Sequence, residues 1–379
     1  MTHSMRLARE ACEMFLPGLA DSLAPVPLET LESRESPGLD TFRRAGGPGL
    51  LVPTEYGGGG ASALEAVRVT RALGTLSPSL AVAATMHNFS VASLVALAGS
   101  AEASGLEWLV IEGIARDCLL VASGFSEGRA GRGILSATMN ARPVDDGYRV
   151  TGSKKPCSLA RSMDVLSASV AIPLPDGGTE LGVALIPAAS PGITRHPFWA
   201  SPYLAGAESD EVRLDDVEVP AEAMLKPKVT LGGGLDMLQT VAFVWFEVLV
   251  TSAYTGAVAR LAEQALSAAR GSVTDRAALA AGLEAAVALV ENQARAVETG
   301  EIGDDELAAV LTARFAAQDL LIQAANQAAE LLGGMAYIAS SEVGYLLAVS
   351  RALAFHPPSR SSSVQALLDH QAGQPLRLS

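Results

Sequence analysis

Hydrophobic and polar positions follow three successive patterns along the chain of 379 residues. Up to about residue 118, Ala- and Leu-rich runs of helical character are broken by proline and glycine, as in residues 53–60. Between about 119 and 227, apolar and small residues alternate with a period of two, as in residues 165–172. Long apolar runs without proline then fill residues 235–356. A period of two predicts β-strands, and long proline-free runs predict helices.

This succession predicts an α+β fold of three domains. A helical N-terminal domain covers residues 1–118, a small β-barrel covers 119–227, and a C-terminal four-helix bundle covers 228–379. In the bundle we expect helices over residues 235–270, 275–298, 304–332 and 341–355. A chain of this length can form several domains with cores of their own.

Composition excludes some classes of partner. The formal net charge of −14 disfavours partners that carry phosphate, so we expect no nucleic acid and no anionic membrane surface. Three cysteines, Cys12, Cys118 and Cys157, are too few and too scattered for a disulfide framework or a zinc site. We therefore expect a cytoplasmic protein with no metal site.

The segment 238–262 is apolar enough to be compared with a membrane-spanning helix. Glu247 lies near its middle, where a carboxylate would cost about 2.5–3.5 kcal/mol in a bilayer. No belt of Lys and Arg flanks the segment. A helix that is apolar all round also suits the centre of a large bundle, which is the interpretation we favour.

Three motifs in the middle of the chain carry a family resemblance. Residues 123–131 read S-G-F-S-E-G-R-A-G, residues 145–154 contain D-G-Y-R-V-T-G-S-K, and residues 215–220 read D-D-V-E-V-P. They resemble, in order and spacing, the T-E-P-x-A-G, D-G-Y-x-x-x-G-x-K and D-V-x-V-P segments of the acyl-CoA dehydrogenase family. Ser126 stands for the threonine and Gly128 for the proline of the first segment.

The resemblance implies an α–β–α flavoprotein with FAD as cofactor. Its implied substrate is an acyl thioester of coenzyme A or of an acyl carrier protein. The implied reaction is α,β-desaturation, in which a base removes an α-proton, a hydride moves to flavin N5, and an electron-acceptor flavoprotein takes up the electrons. The family also implies a homodimer or homotetramer.

The resemblance assigns flavin contacts to two hydroxyls and to a glycine pair. Ser126 and Ser158, with their neighbours Phe125 and Cys157, match the residues beside the flavin ring, although serine also caps turns often. Residues 333–334 are a Gly-Gly pair that matches the turn approaching the flavin of a neighbouring subunit. Gly333 and Gly334 could instead form an ordinary helix C-cap.

The glutamate that usually acts as base in this family is missing. Its place falls at or beside His356, and no carboxylate lies between Glu342 and Asp369. Some members place the base early in the first long C-terminal helix, where this chain has Glu247. Aligning the helix with the family puts Phe246, one residue earlier, at the position of that base. One residue along a helix rotates the side chain by about 100°, and a π-bulge could compensate for this rotation. The alternative is a buried glutamate paired with an arginine or hydrogen-bonded to another helix.

His356 is the second candidate base, although the two prolines after it favour a capping or surface role. We assign His87, Arg132 and Phe246 to the substrate slot. For His87 the alternative is a satisfied polar group inside the fold.

Three functions remain open from the sequence. The first is the FAD-dependent acyl-thioester dehydrogenase. The second is a flavin-dependent monooxygenase on the same fold, because hydroxylating members often lack the glutamate and use the flavin to activate oxygen. The third is a non-redox relative that has lost the base.

Overall fold

The computed structural model describes residues 2–100, 106–128, 137–226, 235, 237–299 and 302–378. Its first part is helical. The helices are α1 (His3–Phe15), α2 (Leu19–Leu23), α3 (Leu28–Leu31), α4 (Gly38–Arg44), α5 (Ala63–Leu76), α6 (Pro78–Ala98) and α7 (Leu106–Arg116). Helix α5 begins with a capping box, in which Ser62 and Glu65 each accept a hydrogen bond from the other's backbone N–H.

The second part of the chain forms one sheet. Its strands are β1 (Val121–Gly124), β2 (Asn140–Val144), β3 (Gly147–Cys157), β4 (Val165–Pro173), β5 (Thr179–Pro187), β6 (Ile193–His196), β7 (Asp210–Pro220) and β8 (Met224–Leu225). The strand order is β6-β7-β3-β2-β4-β5-β8, and β1 pairs in parallel with β4. The alternation predicted at residues 165–172 falls on β4. Most of β4 is buried, because β1, β2 and β5 all pair with it.

The third part returns to helices, as the proline-free runs predicted. They are α8 (Met237–Ser267), α9 (Val273–Glu298), α10 (Asp304–Leu332), α11 (Gly334–Ala339), α12 (Ser341–Val349) and α13 (Arg360–Gln371). The helix predicted over 341–355 ends earlier, at Val349, and a 3-10 turn over Ala352–Phe355 follows. The α+β fold class is confirmed. One hydrophobic core cluster runs through all three parts, so the exact domain bounds stay a prediction.

Helix α8 is the centre of the helical packing, in contact with α5, α6, α9 and α10. A Cβ on Gly256 would lie 2.1 Å from the carbonyl oxygen of Arg71, and one on Gly74 would lie 2.2 Å from that of Ala253. These glycines therefore let the backbones of α5 and α8 approach closely.

Within the described part of the chain, three helices are long and apolar enough to span a membrane by length and composition: Pro78–Ala98, Met237–Ser267 and Asp304–Leu332. In the structure, 72%, 89% and 61% of their apolar windows, respectively, are buried inside the protein. Burial in the fold thus accounts for most of their apolar character.

Candidate active site

A cavity of about 590 Å³ lies between α6, the sheet, α8 and the turn after α12. This volume is within the range of about 300–1,000 Å³ that is usual for small-molecule sites. Its walls are mostly apolar, and the polar groups among the described residues include serine and tyrosine hydroxyls, the Gln239 amide and the His356 imidazole. Among the residues that the structure describes, no Asp, Glu, Lys or Arg lines the cavity.

A row of five aromatic rings follows one side of this cavity. Phe125 lies 6.4 Å from Phe89 between ring centroids, and Phe89 lies 5.5 Å from Phe246 in an edge-to-face arrangement. The row continues from Phe246 to His356 at 6.0 Å and from His356 to Tyr254 at 5.4 Å. It connects the segment directly after β1, where Phe125 lies, with the C-terminal helices. Phe246 therefore lines the slot, as the sequence analysis assigned it.

The sheet end of the cavity carries the predicted serines. Ser126 and Ser158 both line it, and the Ser158 hydroxyl lies 2.9 Å from that of Ser209. The backbone N–H of Lys155 donates to the Ser126 carbonyl at 2.8 Å, which joins the Ser126 segment to β3. No described residue makes a hydrogen bond to the Ser126 hydroxyl. That hydroxyl is available to a ligand in the cavity.

Cys157 is the predicted cofactor residue that the structure separates from the cavity. It is fully buried, its Sγ lies 3.8 Å from the Ser123 carbonyl oxygen, and burial raises the pKa of its thiol to about 12. Pro156 and Ser158, on either side of it in the chain, line the cavity while Cys157 does not.

A buried ion pair between Lys154 and Glu127 fixes the segment that carries Ser126. Lys154 is fully buried, and its Nζ donates to Glu127 at 2.9 Å and to the Ser169 hydroxyl at 3.0 Å. Glu127 also accepts from the backbone N–H groups of Thr138 and Met139 at 2.7 and 3.0 Å. Burial alone would raise the pKa of Glu127, but hydrogen bonds from the Thr138 hydroxyl, from Lys154 and from the Thr138 N–H lower it to about 2. The sequence analysis singled out neither residue for this role.

Glu247 does not line the cavity. Its side chain is fully buried and pairs with Arg314, whose Nη1 lies 3.1 and 2.9 Å from the two carboxylate oxygens. Helix α8 is regular from Met237 to Ser267, so no π-bulge rotates Glu247 into the place that Phe246 holds. Burial raises the pKa of Glu247 to about 7, and the Arg314 charge opposes this. Glu247 is therefore part of a buried ion pair with an arginine, which was the alternative to its role as a base.

Arg314 also holds the chain segment that forms one wall of the cavity. It donates to the carbonyls of Leu353 at 2.9 Å, His356 at 2.7 Å and Pro358 at 3.1 Å. Sequence reasoning missed this residue. The signal was available, because Arg314 is a buried cation in an otherwise apolar stretch of α10, just as Glu247 is a buried anion in α8.

His356 lines the cavity, and its Nε2 lies 2.8 Å from the Tyr254 hydroxyl. Burial, assisted by the nearby Arg314 charge, lowers the pKa of His356 to about 3. The imidazole is therefore neutral at physiological pH, and so weakly basic that it is a poor acceptor for an α-proton. Tyr254, which the sequence analysis did not single out, is buried, and burial raises the pKa of its phenol.

His87 lies inside the fold and away from the cavity lining. Its Nδ1 accepts from the Val121 N–H at 3.0 Å, and its Nε2 donates to the Pro48 carbonyl at 2.9 Å. Both ring nitrogens are satisfied, and burial lowers the pKa of the imidazole to about 4. His87 therefore does not contact the cavity. It is a hydrogen-bonded polar group inside the fold that joins α6 to β1.

The glycine pair ends α10 at the surface. Gly333 has φ +80°, the left-handed conformation that favours glycine, and Arg270 donates to the Leu332 carbonyl beside it at 2.7 Å. Neither Gly333 nor Gly334 lines the cavity of this chain. Their assignment to the flavin of a neighbouring subunit stays a prediction. Arg132 lies outside the described residues.

The residues present in the cavity fit a flavin. A flat tricyclic ring needs apolar faces and hydrogen-bond partners at its polar edge. Phe125 and Trp199 supply aromatic surface, and Ser126 and Ser158 supply hydroxyls. The half-buried Ser126 hydroxyl has no hydrogen-bond partner among the described residues, so it is free to bond a ring edge.

Comparisons with known proteins agree with this geometry. A family model described as "Acyl-CoA dehydrogenase, N-terminal domain" matches residues 6–105. The isobutylamine N-hydroxylase of Streptomyces viridifaciens is 52% identical over 376 residues, an alignment that covers 99% of this chain and 100% of that protein.

Solved structures share the fold along the whole chain. The FMN-bound TdsC of Paenibacillus sp. A11-2 has a TM-score of 0.79 at 19% identity and covers 100% of this chain and 99% of its own. The FAD complex of PigA has a TM-score of 0.78 at 18% identity and covers 98% of each chain. The chain belongs to the acyl-CoA dehydrogenase-like family of flavin-dependent oxidoreductases.

Proposed function

We propose that this protein is a flavin-dependent monooxygenase that N-hydroxylates a small primary amine. Its 52% identity to an isobutylamine N-hydroxylase, over nearly the full length of both chains, supports the reaction class and the kind of substrate. This favours the second function that the sequence left open over the acyl-thioester desaturation that we expected first.

The observation that carries the proposal is the position of Glu247. Desaturation needs a base that can reach an α-proton in the cavity. Glu247 is 0% exposed, paired with Arg314 and outside the cavity lining, and among the described residues no carboxylate lines the cavity. Oxygen transfer to an amine needs no such base, because the nitrogen lone pair is already a nucleophile.

One turnover balances with reduced flavin as the reductant, and further turnovers need an external source of electrons for the flavin. The amine and dioxygen, with two electrons and two protons from reduced flavin, give a hydroxylamine and water, while the flavin is oxidised. When bound, the flavin supplies the activation of dioxygen. Electrons then pass to oxygen, so the electron-acceptor protein expected for a dehydrogenase has no place in this scheme.

The chain's own residues have three tasks in this reaction. Ser126 and Ser158 would hold the edge of the flavin ring by hydrogen bonds, and Trp199 and Phe125 would shield the ring from water. Phe89 and Phe246 form the apolar channel for the alkyl chain of the amine. Together these side chains exclude water, which protects a reactive oxygen donor from wasteful breakdown.

The identity of the flavin and the oligomeric state are parts of the same proposal. We retain FAD, with FMN as the alternative that a comparative titration decides. A homodimer or homotetramer is supported by an apolar surface next to the glycine pair, where Met335, Tyr337 and Ile338 are 71%, 58% and 78% exposed. Light scattering on the purified protein measures the subunit number.

A direct assay tests the proposed reaction. The protein, loaded with chemically reduced flavin, is mixed with oxygenated buffer and either a small primary amine, an aromatic sulfide or an acyl-CoA thioester. We expect a hydroxylamine from the amine and no product from the other two. Anaerobic bleaching of the oxidised flavin by the thioester would contradict the proposal, as would S-oxygenation without N-hydroxylation.

A further inference from the structure

We propose that the cavity binds its amine as the unprotonated free base, with the amine nitrogen at the His356–Tyr254 pair. This inference rests on the proposed function and extends it to the protonation state and orientation of the substrate. It is carried by the order of the side chains along the cavity and by the absence of a free carboxylate among the described residues that line it.

The His356–Tyr254 pair lies at the end of the aromatic row opposite the serines. The row runs from Phe125 through Phe89 and Phe246 to His356 and Tyr254. The serines are assigned to the flavin edge in the proposed function, which leaves the His356–Tyr254 pair as a polar group for the substrate. The amine nitrogen must also reach the oxygen donor, so it lies on the side of the pair that faces the flavin, and the alkyl chain packs against Phe246 and Phe89.

One ring nitrogen of His356 is free for a ligand. Nε2 is 2.8 Å from the Tyr254 hydroxyl, while no described residue makes a hydrogen bond to Nδ1. When Tyr254 donates to Nε2, Nδ1 carries the proton and donates to the amine lone pair. When Nε2 donates to Tyr254, Nδ1 accepts an amine N–H. Either arrangement suits a neutral amine, which has both a lone pair and N–H groups.

The charges around His356 keep its ring neutral. Arg314 on α10 donates to the backbone carbonyl of His356. The carboxylate of Glu247 on α8 accepts from the same guanidinium and does not line the cavity. Glu32 acts on the neighbouring phenol of Tyr254. Burial and the Arg314 charge both lower the pKa of the imidazole. A protonated ring would repel an amine cation and offer no acceptor.

An ammonium group would need an anion in the cavity, and the carboxylates around it are bound elsewhere. Both oxygens of Glu247 accept from Arg314. Glu32 is buried in a set of hydroxyls, in which Ser79 donates to it at 2.6 Å and Tyr345 also donates.

The two carboxylates at the sheet side are equally engaged. Asp210 pairs with Arg34 and accepts from the Phe198 N–H at 3.0 Å. Glu127 pairs with the buried Lys154. Desolvating an ammonium ion without a counter-charge is strongly unfavourable, so a cavity whose described lining carries no charged side chain selects the free base. The free base is also the form that can react, because an ammonium nitrogen has no lone pair with which to form the N–O bond.

Binding without turnover tests this inference. Protein loaded with oxidised flavin is titrated by calorimetry with a small branched primary amine, with the alcohol of the same carbon skeleton, and with the N,N,N-trimethyl derivative of the amine. The apparent Kd of the amine should fall about tenfold per pH unit from about pH 7 to pH 9, because an aliphatic amine has a pKa near 10.4. The alcohol should bind independently of pH, and the permanent cation should not bind.

Two tyrosine variants locate the nitrogen. Tyr254→Phe removes the hydroxyl that contacts His356 and should weaken amine binding at constant pH about five- to tenfold, the effect of one hydrogen bond. Tyr203→Phe, the matched control, removes a hydroxyl from another cavity-lining tyrosine and should leave amine binding unchanged. His356→Phe keeps a ring and the backbone carbonyl held by Arg314, and should weaken amine binding at least tenfold.

The outcomes separate this inference from the proposed function. A pH-independent Kd for the amine, no amine binding at any pH, binding of the trimethylammonium compound, or equal effects of the Tyr254 and Tyr203 variants would overturn the inference. Amine binding with the expected pH dependence but no hydroxylamine formation would contradict the proposed function and support the site. Hydroxylamine formation with pH-independent amine binding would support the proposed function and overturn the inference about the free base.

Discussion

Arg314 and Glu247 form an ion pair in which the side chains are only 1% and 0% exposed, respectively, and their nearest atoms, Nη1 and Oε2, are 2.9 Å apart. The same guanidinium holds the carbonyls of Leu353, His356 and Pro358. The pair therefore connects α8 and α10 to the wall of the cavity. A residue in the position expected of a base has instead a structural partner, and this changes what its replacement should do.

Glu247→Gln should lower the free energy of unfolding by about 3 kcal/mol at pH 8, because it leaves the buried Arg314 charge without a counter-ion. Urea denaturation measures this. Glu10→Gln, which breaks an exposed pair with Arg6, is the matched control and should cost less than about 1 kcal/mol. Equal effects of the two variants would contradict the structural role of Glu247.

Glu127 should make the protein sensitive to acid. Its folded pKa of about 2 lies below the ordinary value of 4.5, so its stabilising effect is present above about pH 4.5 and is lost as pH falls toward 2. The shift corresponds to about 3 kcal/mol. In Glu127→Gln, the free energy of unfolding should therefore fall less steeply between pH 5 and pH 3 than in the wild type, as measured by urea denaturation.

The control for this pH dependence is Glu218→Gln. Glu218 pairs with Arg149 on the surface, where its side chain is 72% exposed, so solvent screens the interaction. This variant should keep the wild-type pH profile. A Glu127→Gln profile parallel to the wild type would show that the Glu127–Lys154 pair does not titrate as expected.

Ser126→Ala and Ser158→Ala should each weaken flavin binding about five- to tenfold, because each removes one hydrogen bond to the ring. Quenching of flavin fluorescence on binding measures the affinity. Ser93→Ala, on α6 outside the cavity lining, is the control and should bind flavin like the wild type. Unchanged affinity in both cavity variants would remove the serines from the cofactor site.

Ala242 faces the cavity from α8, so a larger side chain there should shorten the space for the alkyl chain of the amine. Ala242→Phe should lower kcat/KM for a branched amine about 10- to 100-fold, with a smaller loss for the shortest amines. Ala278→Phe, on the exposed face of α9, is the control and should leave kcat/KM unchanged for both branched and short amines. Equal losses for all amines would indicate general damage and not a size limit.

The sequence was informative where the signal is local. Proline-free apolar runs predicted α9 and α10 to within two residues at each end, and the period of two located β4. Motif order and spacing identified the family. These features depend on neighbouring residues in the chain, so a single sequence contains them.

The candidate site was harder to predict from the sequence because its contacts join residues far apart in the chain. Tyr254 and His356 are 102 residues apart, and Lys154 and Glu127 are 27 apart, so no spacing rule connects them. Glu247 illustrates the sensitivity of helix register. One residue along a regular helix rotates a side chain by about 100°, enough to move the carboxylate from the cavity that Phe246 lines to Arg314.

An amine N-hydroxylase transfers one atom of dioxygen to the amine nitrogen. Supplying ¹⁸O₂ to the protein with reduced flavin and a small primary amine, followed by mass spectrometry of the products, detects this transfer. We expect a hydroxylamine that contains one ¹⁸O atom. Recovery of all the label in water or hydrogen peroxide, with the amine unchanged, would contradict the proposed function.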